Sequence, residues 1–173
     1  MTAYADIPTT MLEDEFKFLV RHARKAVRGM IEIGSAWGKS SINLGRVAQD
    51  KGLLLTCVDT WEGEDFYNGW VDNIKDAGLS DDVTPIRMQS KDAFRAVAKD
   101  FMGKCDFLFI DADHSYEAVN ADFKNWSSLL ARPAIVVFHD IEVPCYGVMQ
   151  FYGELSQNHK HKEQDNIGAI FLK

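Results

Sequence analysis

The stretch MIEIGSAWGKSS, Met30 to Ser41, constrains the fold of this chain more than any other. A short apolar run, Gly29-Met30-Ile31-Glu32-Ile33, meets Gly34. Gly38 closes a tight turn around Ser35-Ala36-Trp37, and Lys39-Ser40-Ser41 opens the periodic run Ile42, Leu44, Val47, Ala48. This is the pattern of a buried strand, a glycine turn and the first turn of a helix. Glycine directly after a strand allows positive φ and close approach of the backbone to a ligand. The free N–H groups of the following helix make an electropositive end suited to a carboxylate or phosphate. The unit is half of a mononucleotide-binding βαβ. Its spacing, G-x-x-x-G-K-S, is one residue short of the P-loop pattern. A plain βα turn without a ligand is the bland alternative. Glu32 counts against it, because an acid in a buried strand is costly unless paired.

The rest of the chain reads as strands and helices in alternation. Thr9 or Thr10 can cap a first helix with Glu13, Asp14 and Glu15 in its opening turn, where acids favour the dipole. Leu12, Phe16, Leu19, Val20, Ala23 and Val27 form its apolar stripe, and Gly29 stops it. After the helix to about Gln49, the apolar run Leu53 to Asp59 is what a doubly covered parallel strand looks like. It ends on Asp59, about 25 residues after Gly34, where an acid in such a unit accepts hydrogen bonds from ribose hydroxyls. Thr60 to Ser80 is irregular and aromatic (Trp61, Phe66, Tyr67, Trp70), readable either as a lid or substrate wall or as a surface helix packed on the sheet. Val83 to Met88 is a third strand. Gln89-Ser90 follows at a turn placed beside a nucleobase in this type of fold, and Phe94, Val97, Ala98 and Phe101 give the next helix its apolar face.

Cys105 to Ile110 is a central strand ending in Asp111-Ala112-Asp113-His114-Ser115-Tyr116-Glu117. Ligands in open α/β sheets bind outside the carboxyl ends of the strands, so this cluster lands at the site. A helix with Tyr116, Val119, Phe123, Trp126, Leu129 and Leu130 inward follows. The fifth strand, Ala134 to Phe138, then ends in His139-Asp140. Cys145 to Leu155 reads as a helix. His159-Lys160-His161-Lys162 reads as a solvated turn, since interleaved lysines repel a cation. Asp165-Asn166 suits a hairpin-like turn into a last, antiparallel strand from Gly168 to Leu172.

Composition narrows the function. A net charge of -7 argues against a nucleic-acid partner, which needs a basic face. No apolar stretch approaches the roughly 18 residues of a membrane span, so a membrane role is not expected. The N-terminus lacks the basic and apolar regions of a signal peptide. Three widely spaced cysteines, Cys57, Cys105 and Cys145, fit a reducing cytoplasm.

Together these residues resemble the class I S-adenosylmethionine-dependent methyltransferases from about Met11 to Lys173. Glu32, Gly34 and Gly38 match the first motif, with Ala36 in place of its middle glycine, and Asp59 matches the acid after strand two. FIDADHSYEAVNADFKNWSSLL with IVVFHD and GVMQFYGEL is similar to the small-molecule O-methyltransferase branch that includes macrocin-type sugar methyltransferases. The resemblance implies a Rossmann-like, doubly wound, mostly parallel seven-stranded sheet with a C-terminal antiparallel strand and helices on both faces. It implies a single domain over 1–173, with an N-terminal helix (1–28) and a core (29–173). The implied cofactor is S-adenosyl-L-methionine, held by Glu32, Gly34, Ser35, Gly38 and Ser40 from the first motif. Asp59, Thr60 and Trp61, then Gln89, Ser90 and Asp111, complete that set. In metal-dependent members of the branch, acids ending strands four and five hold a divalent ion and a histidine three residues after the first is the base. Carried over, Asp111 and Asp140 are ligands of magnesium or manganese, and His114 is the base. His139 stands where relatives often have an acid and joins the metal set, which favours a softer ion. A hydrogen-bonded polar cluster without metal is the alternative reading. The partner implied is a small hydroxylated acceptor, and homo-oligomerisation is compatible with the pattern. A nicotinamide-dependent oxidoreductase is disfavoured by the missing G-x-G-x-x-G, and a protein that binds the cofactor without turnover is the alternative to the enzyme reading.

Overall fold

Strands that are apolar on both faces need a covering layer on each side, and the computed structural model, which describes residues 6–144 and 146–173, supplies it. The strands are β1 (Gly29–Ile33), β2 (Leu55–Asp59), β3 (Val83–Arg87), β4 (Cys105–Ile110), β5 (Ala134–His139), β6 (Lys160–Gln164) and β7 (Ile167–Leu172). The helices are α1 (Glu13–Ala23), α2 (Lys39–Lys51), α3 (Glu64–Asp76), α4 (Ser90–Phe101), α5 (Tyr116–Ser127) and α6 (Gly147–Ser156). One seven-stranded sheet runs in the order β3-β2-β1-β4-β5-β7-β6. Its first five strands are parallel, and β7 pairs antiparallel with both β5 and β6.

The two-residue period of the strands sorts the core into two layers. Met30, Phe107, Phe109 and Val137 face α1, α2 and α3 through Leu19, Leu44 and Trp70. Ile31, Ile33, Leu108, Ile110 and Phe138 face α4, α5 and α6 through Ala93, Trp126 and Phe151. The chain winds one way from β1 to β3 and the other way from β4, so β1 and β4 are neighbours at the point of reversal. Connections leaving adjacent strands there diverge and open a crevice at the carboxyl edge.

Several sequence expectations need correction. Helix α1 ends at Ala23, short of Gly29, because the Asp106 carboxylate accepts the backbone N–H groups of Val27 (3.0 Å) and Arg28 (3.2 Å) and turns the chain into β1. Val27 is therefore exposed instead of on the apolar stripe. Neither Thr9 nor Thr10 caps α1. Glu15 does, its Oε2 accepting from the Leu12 N–H at 2.6 Å. Strand β2 starts at Leu55, and Leu54 is exposed. The segment read as a solvated turn at 159–162 enters β6, an edge strand whose exposed polar side chains carry no alternation. Of the two readings of 60–80, the chain adopts the packed helix: α3 buries Trp70 and Ile74. The start expected for the last helix, Cys145, lies outside the described residues, and α6 begins at Gly147. Among the described residues, no helix is long and apolar enough to cross a membrane.

Candidate active site

The loop leaving β1 is built for closeness. Gly34 has φ +86°, and a Cβ there would lie 2.0 Å from the Asp111 carbonyl oxygen. Asp111 in turn donates its N–H to Ile33 O at 2.8 Å, so the exits of β1 and β4 are locked side by side. The Asp59 carboxylate holds the loop from the β2 side. Its Oδ2 accepts the N–H groups of Ser35 (2.8 Å) and Ala36 (3.0 Å), and Oδ1 accepts that of Trp61 (2.9 Å). Ala36 occupies φ +43°, a region glycine enters more cheaply. Trp61 Nε1 donates to Ala36 O at 2.9 Å and steadies that conformation.

Glu32 lies beneath this loop, fully buried. Its Oε2 accepts from Ser35 Oγ (2.8 Å), Ser41 Oγ (2.5 Å) and Cys57 Sγ (3.1 Å), and burial pushes its pKa up. Glu32, Gly38 and Trp61 are not among the residues that line the two cavities at the carboxyl edge. Gly38 is the left-handed N-cap of α2, and Trp61 packs on Trp70 and Tyr67. All three shape the loop from behind.

Two cavities open on the carboxyl edge. The larger, of about 530 Å³, is lined by Gly34, Ala36, Asp59, Thr60, Gln89, Ser90 and Asp111, with Phe66, Met88, Lys91 and Asp122 among the rest. The smaller, of about 350 Å³, lies between the segment 8–11 and Ser35, Trp37, Lys39 and Ser40. Gly34, Ala36 and Asp111 belong to both. The expected residues Gly34, Ser35, Ser40, Asp59, Thr60, Gln89, Ser90 and Asp111 thus converge on one bipartite space.

Asp122 is a lining residue the sequence reading missed, although it falls on the inward stripe of α5 between Val119 and Trp126. It accepts from the Ser90 hydroxyl, which itself accepts from Trp126 Nε1 at 2.8 Å. Burial raises its pKa from 3.8 to about 6. A raised acid binds extra protons in the folded state, so stability falls as pH rises from about 4 through about 6. Above that range the penalty is about 3 kcal/mol, from the roughly two-unit shift. Asp122→Asn is therefore expected to raise the melting temperature by several degrees at pH 8 and by little at pH 4. Melts showing the same increment at both pH values contradict this.

The ends of β4 and β5 bring four polar side chains together. His114 Nε2 lies 3.5 Å from Asp111 Oδ1 and 3.1 Å from Asp140 Oδ2. His139 Nδ1 lies 3.4 Å from Asp111 Oδ1 and 3.5 Å from Asp140 Oδ2. His114 is held by stacking on Tyr146 (centroids 4.5 Å apart) and by its carbonyl, which accepts the Gly147 N–H at 2.7 Å. The Asp111 carboxylate beside it, and then that of Asp140, raise its pKa. Burial alone would depress His139, but Asp111 and Asp140 push it up to about 10. Burial would raise Asp111 and Asp140, but His114 and His139 outweigh it at Asp111, and His139 with Asn166 outweighs it at Asp140, so both lie below the usual carboxylate range.

This cluster fits a metal ion. One ligand atom each from Asp111, His139 and Asp140 lies within 4.8 Å of the others. The contacts of 3.4–3.5 Å are close to the roughly 3.0–3.4 Å separating neighbouring ligands on an ion bound at about 2.1 Å. His139 Nδ1 is buried without a hydrogen-bond partner, as is His114 Nε2 beside it, so the cluster has a buried ring nitrogen available to an ion.

Comparison with known proteins decides the family. Residues 31–141 match the model of a methyltransferase domain. The chain belongs to that methyltransferase family. The match runs from β1 through the end of β5 and takes in both cavities' shared residues and the cluster. An uncharacterized protein, y4gI, of Sinorhizobium fredii is 29% identical over 136 residues, which cover 75% of this chain and 15% of that protein. This chain therefore spans only a small part of that relative. Among solved structures, an O-methyltransferase from Bacillus cereus in complex with SAH is similar at 20% identity and TM-score 0.73, covering 98% of this chain and 86% of that one. The O-methyltransferase TomG from Streptomyces achromogenes, in complex with SAM, matches at 19% identity and TM-score 0.75, covering 98% and 83%. At these identities the structures establish a shared methyltransferase fold.

Proposed function

We propose that this methyltransferase transfers the methyl group of S-adenosylmethionine to a hydroxyl of a small molecule. The observation that carries the reading is the pair of cavities that meet at Gly34, Ala36 and Asp111, with the acid–histidine cluster beside the meeting point. The larger cavity suits an adenosyl group. Asp59 retains acceptor capacity beyond its three backbone partners and takes the ribose hydroxyls. Gln89, Ser90 and Asp122 form the polar end for the base. The smaller cavity, walled by 8–11 and Trp37, takes the acceptor. The similar O-methyltransferases crystallised with SAH and SAM support S-adenosylmethionine as the cofactor.

S-adenosylmethionine would supply an electrophilic methyl group on a sulfonium, and Asp111, His139 and Asp140 would hold a divalent ion that, when bound, would supply a Lewis acid lowering a hydroxyl pKa. The chain itself orients the two reactants, the main contribution to an in-line displacement. His114 Nε2 removes the hydroxyl proton as the oxygen–methyl bond forms, while the carbon–sulfur pair returns to sulfur and leaves a neutral thioether. Asp140, 3.1 Å from Nε2, stabilises the imidazolium produced. The test is incubation with methyl-labelled S-adenosylmethionine and a panel of catechols, sugars and hydroxy acids. Labelled ethers are expected. Cofactor binding without transfer, or label on amines only, contradicts the proposal.

A further inference from the structure

Glu15 joins the site from the far end of the chain. It sits in the first turn of α1, 2% exposed, and its carboxylate has three partners. Oε2 accepts the Leu12 N–H and lies 3.3 Å from His139 Nε2, and Oε1 accepts the Asn166 N–H at 3.2 Å. Asn166 Nδ2 donates to Asp140 Oδ1 at 2.7 Å. One buried acid therefore supports two members of the cluster, His139 directly and Asp140 through Asn166.

The consequence for His139 is chemical. Nε2 lies beside the Glu15 carboxylate, which can hold the ring hydrogen there, and Nδ1, 3.4 Å from Asp111 Oδ1 and 3.5 Å from Asp140 Oδ2, is the nitrogen placed to ligate an ion with those two oxygens. A carboxylate behind a ligating imidazole fixes its orientation and raises its basicity. The donor set is then one imidazole nitrogen with two carboxylates. Magnesium favours oxygen ligands and keeps several waters, whereas first-row transition ions accept imidazole readily.

We propose that Glu15 and His139 together commit this site to a divalent first-row transition-metal ion over magnesium, with α1 as its outer support. The inference rests on the reading of Asp111, His139 and Asp140 as ligands but not on methyl transfer. The test uses the full chain freed of metal by chelator. Cobalt(II) is titrated by visible absorption, and cobalt(II), manganese(II) and magnesium by calorimetry, with S-adenosylhomocysteine binding measured in parallel. One equivalent of cobalt is expected, bound at least a hundredfold more tightly than magnesium. Glu15→Gln is expected to weaken cobalt 10- to 100-fold, in the range seen for outer-sphere partners. His139→Asp, which restores an all-oxygen set, is expected to shrink the cobalt-to-magnesium ratio at least tenfold. An unchanged ratio in His139→Asp, or magnesium within threefold of cobalt in the native chain, overturns the proposal. Absence of any metal binding overturns it together with the ligand assignment, and intact S-adenosylhomocysteine binding then leaves the cofactor reading standing.

Discussion

Gly34→Ala is expected to abolish cofactor binding and to destabilise the fold by about 4 kcal/mol. Two costs add. The position has φ +86°, where a side chain costs roughly 1–3 kcal/mol. The new Cβ would also stand 2.0 Å from Asp111 O, 2.5 Å from its carbonyl carbon and 2.8 Å from Ala112 Cα. These are backbone atoms, and Asp111 cannot retreat without breaking its bond to Ile33 O. Overpacking of this kind costs about 1–3 kcal/mol more. Relief requires the exits of β1 and β4 to part, and those exits wall both cavities. Gly63→Ala is the matched control: φ is +92°, but nothing lies within 4 Å of its Cβ. It should show the backbone cost alone and bind S-adenosylhomocysteine normally. Equal behaviour of the two variants would remove the close approach from the explanation.

His114→Ala is expected to slow methyl transfer by about 10²–10⁴, the range for loss of a general base, while leaving S-adenosylhomocysteine affinity within about threefold. The separation follows from position. His114 lines neither cavity, but its Nε2 lies 3.5 Å from Asp111, which borders both. Single-turnover rates with added imidazole distinguish a missing base from a displaced loop, because only the former is rescued. A variant that retains full rate excludes His114 from proton removal.

The sequence made the sheet and its ligand edge legible because both are written locally. The apolar runs of β1, β4 and β5, the glycines of the first loop and the acids after β2 and β4 are all neighbours in the chain. Direction was less legible than place. Glu32 and Trp61 lie beside the ligand loop in sequence, but Glu32 turns beneath it toward Ser41 and Cys57, and Trp61 turns inward onto Trp70. Glu15 reads as a first-turn acid suited to the helix dipole. Its partnership with His139 crosses 124 positions and comes from tertiary packing alone. Strand β6 escaped notice for a related reason. An exposed edge strand has no buried face to impose alternation, and β7 alone defines it.

The central claim is that the carboxyl edge at β1 and β4 receives S-adenosylmethionine. Calorimetric titration of S-adenosylhomocysteine into the intact chain tests it most directly. One equivalent should bind, Asp59→Ala should weaken the interaction at least tenfold, and NAD should give no signal. Absence of binding, or affinity indifferent to Asp59, would contradict it.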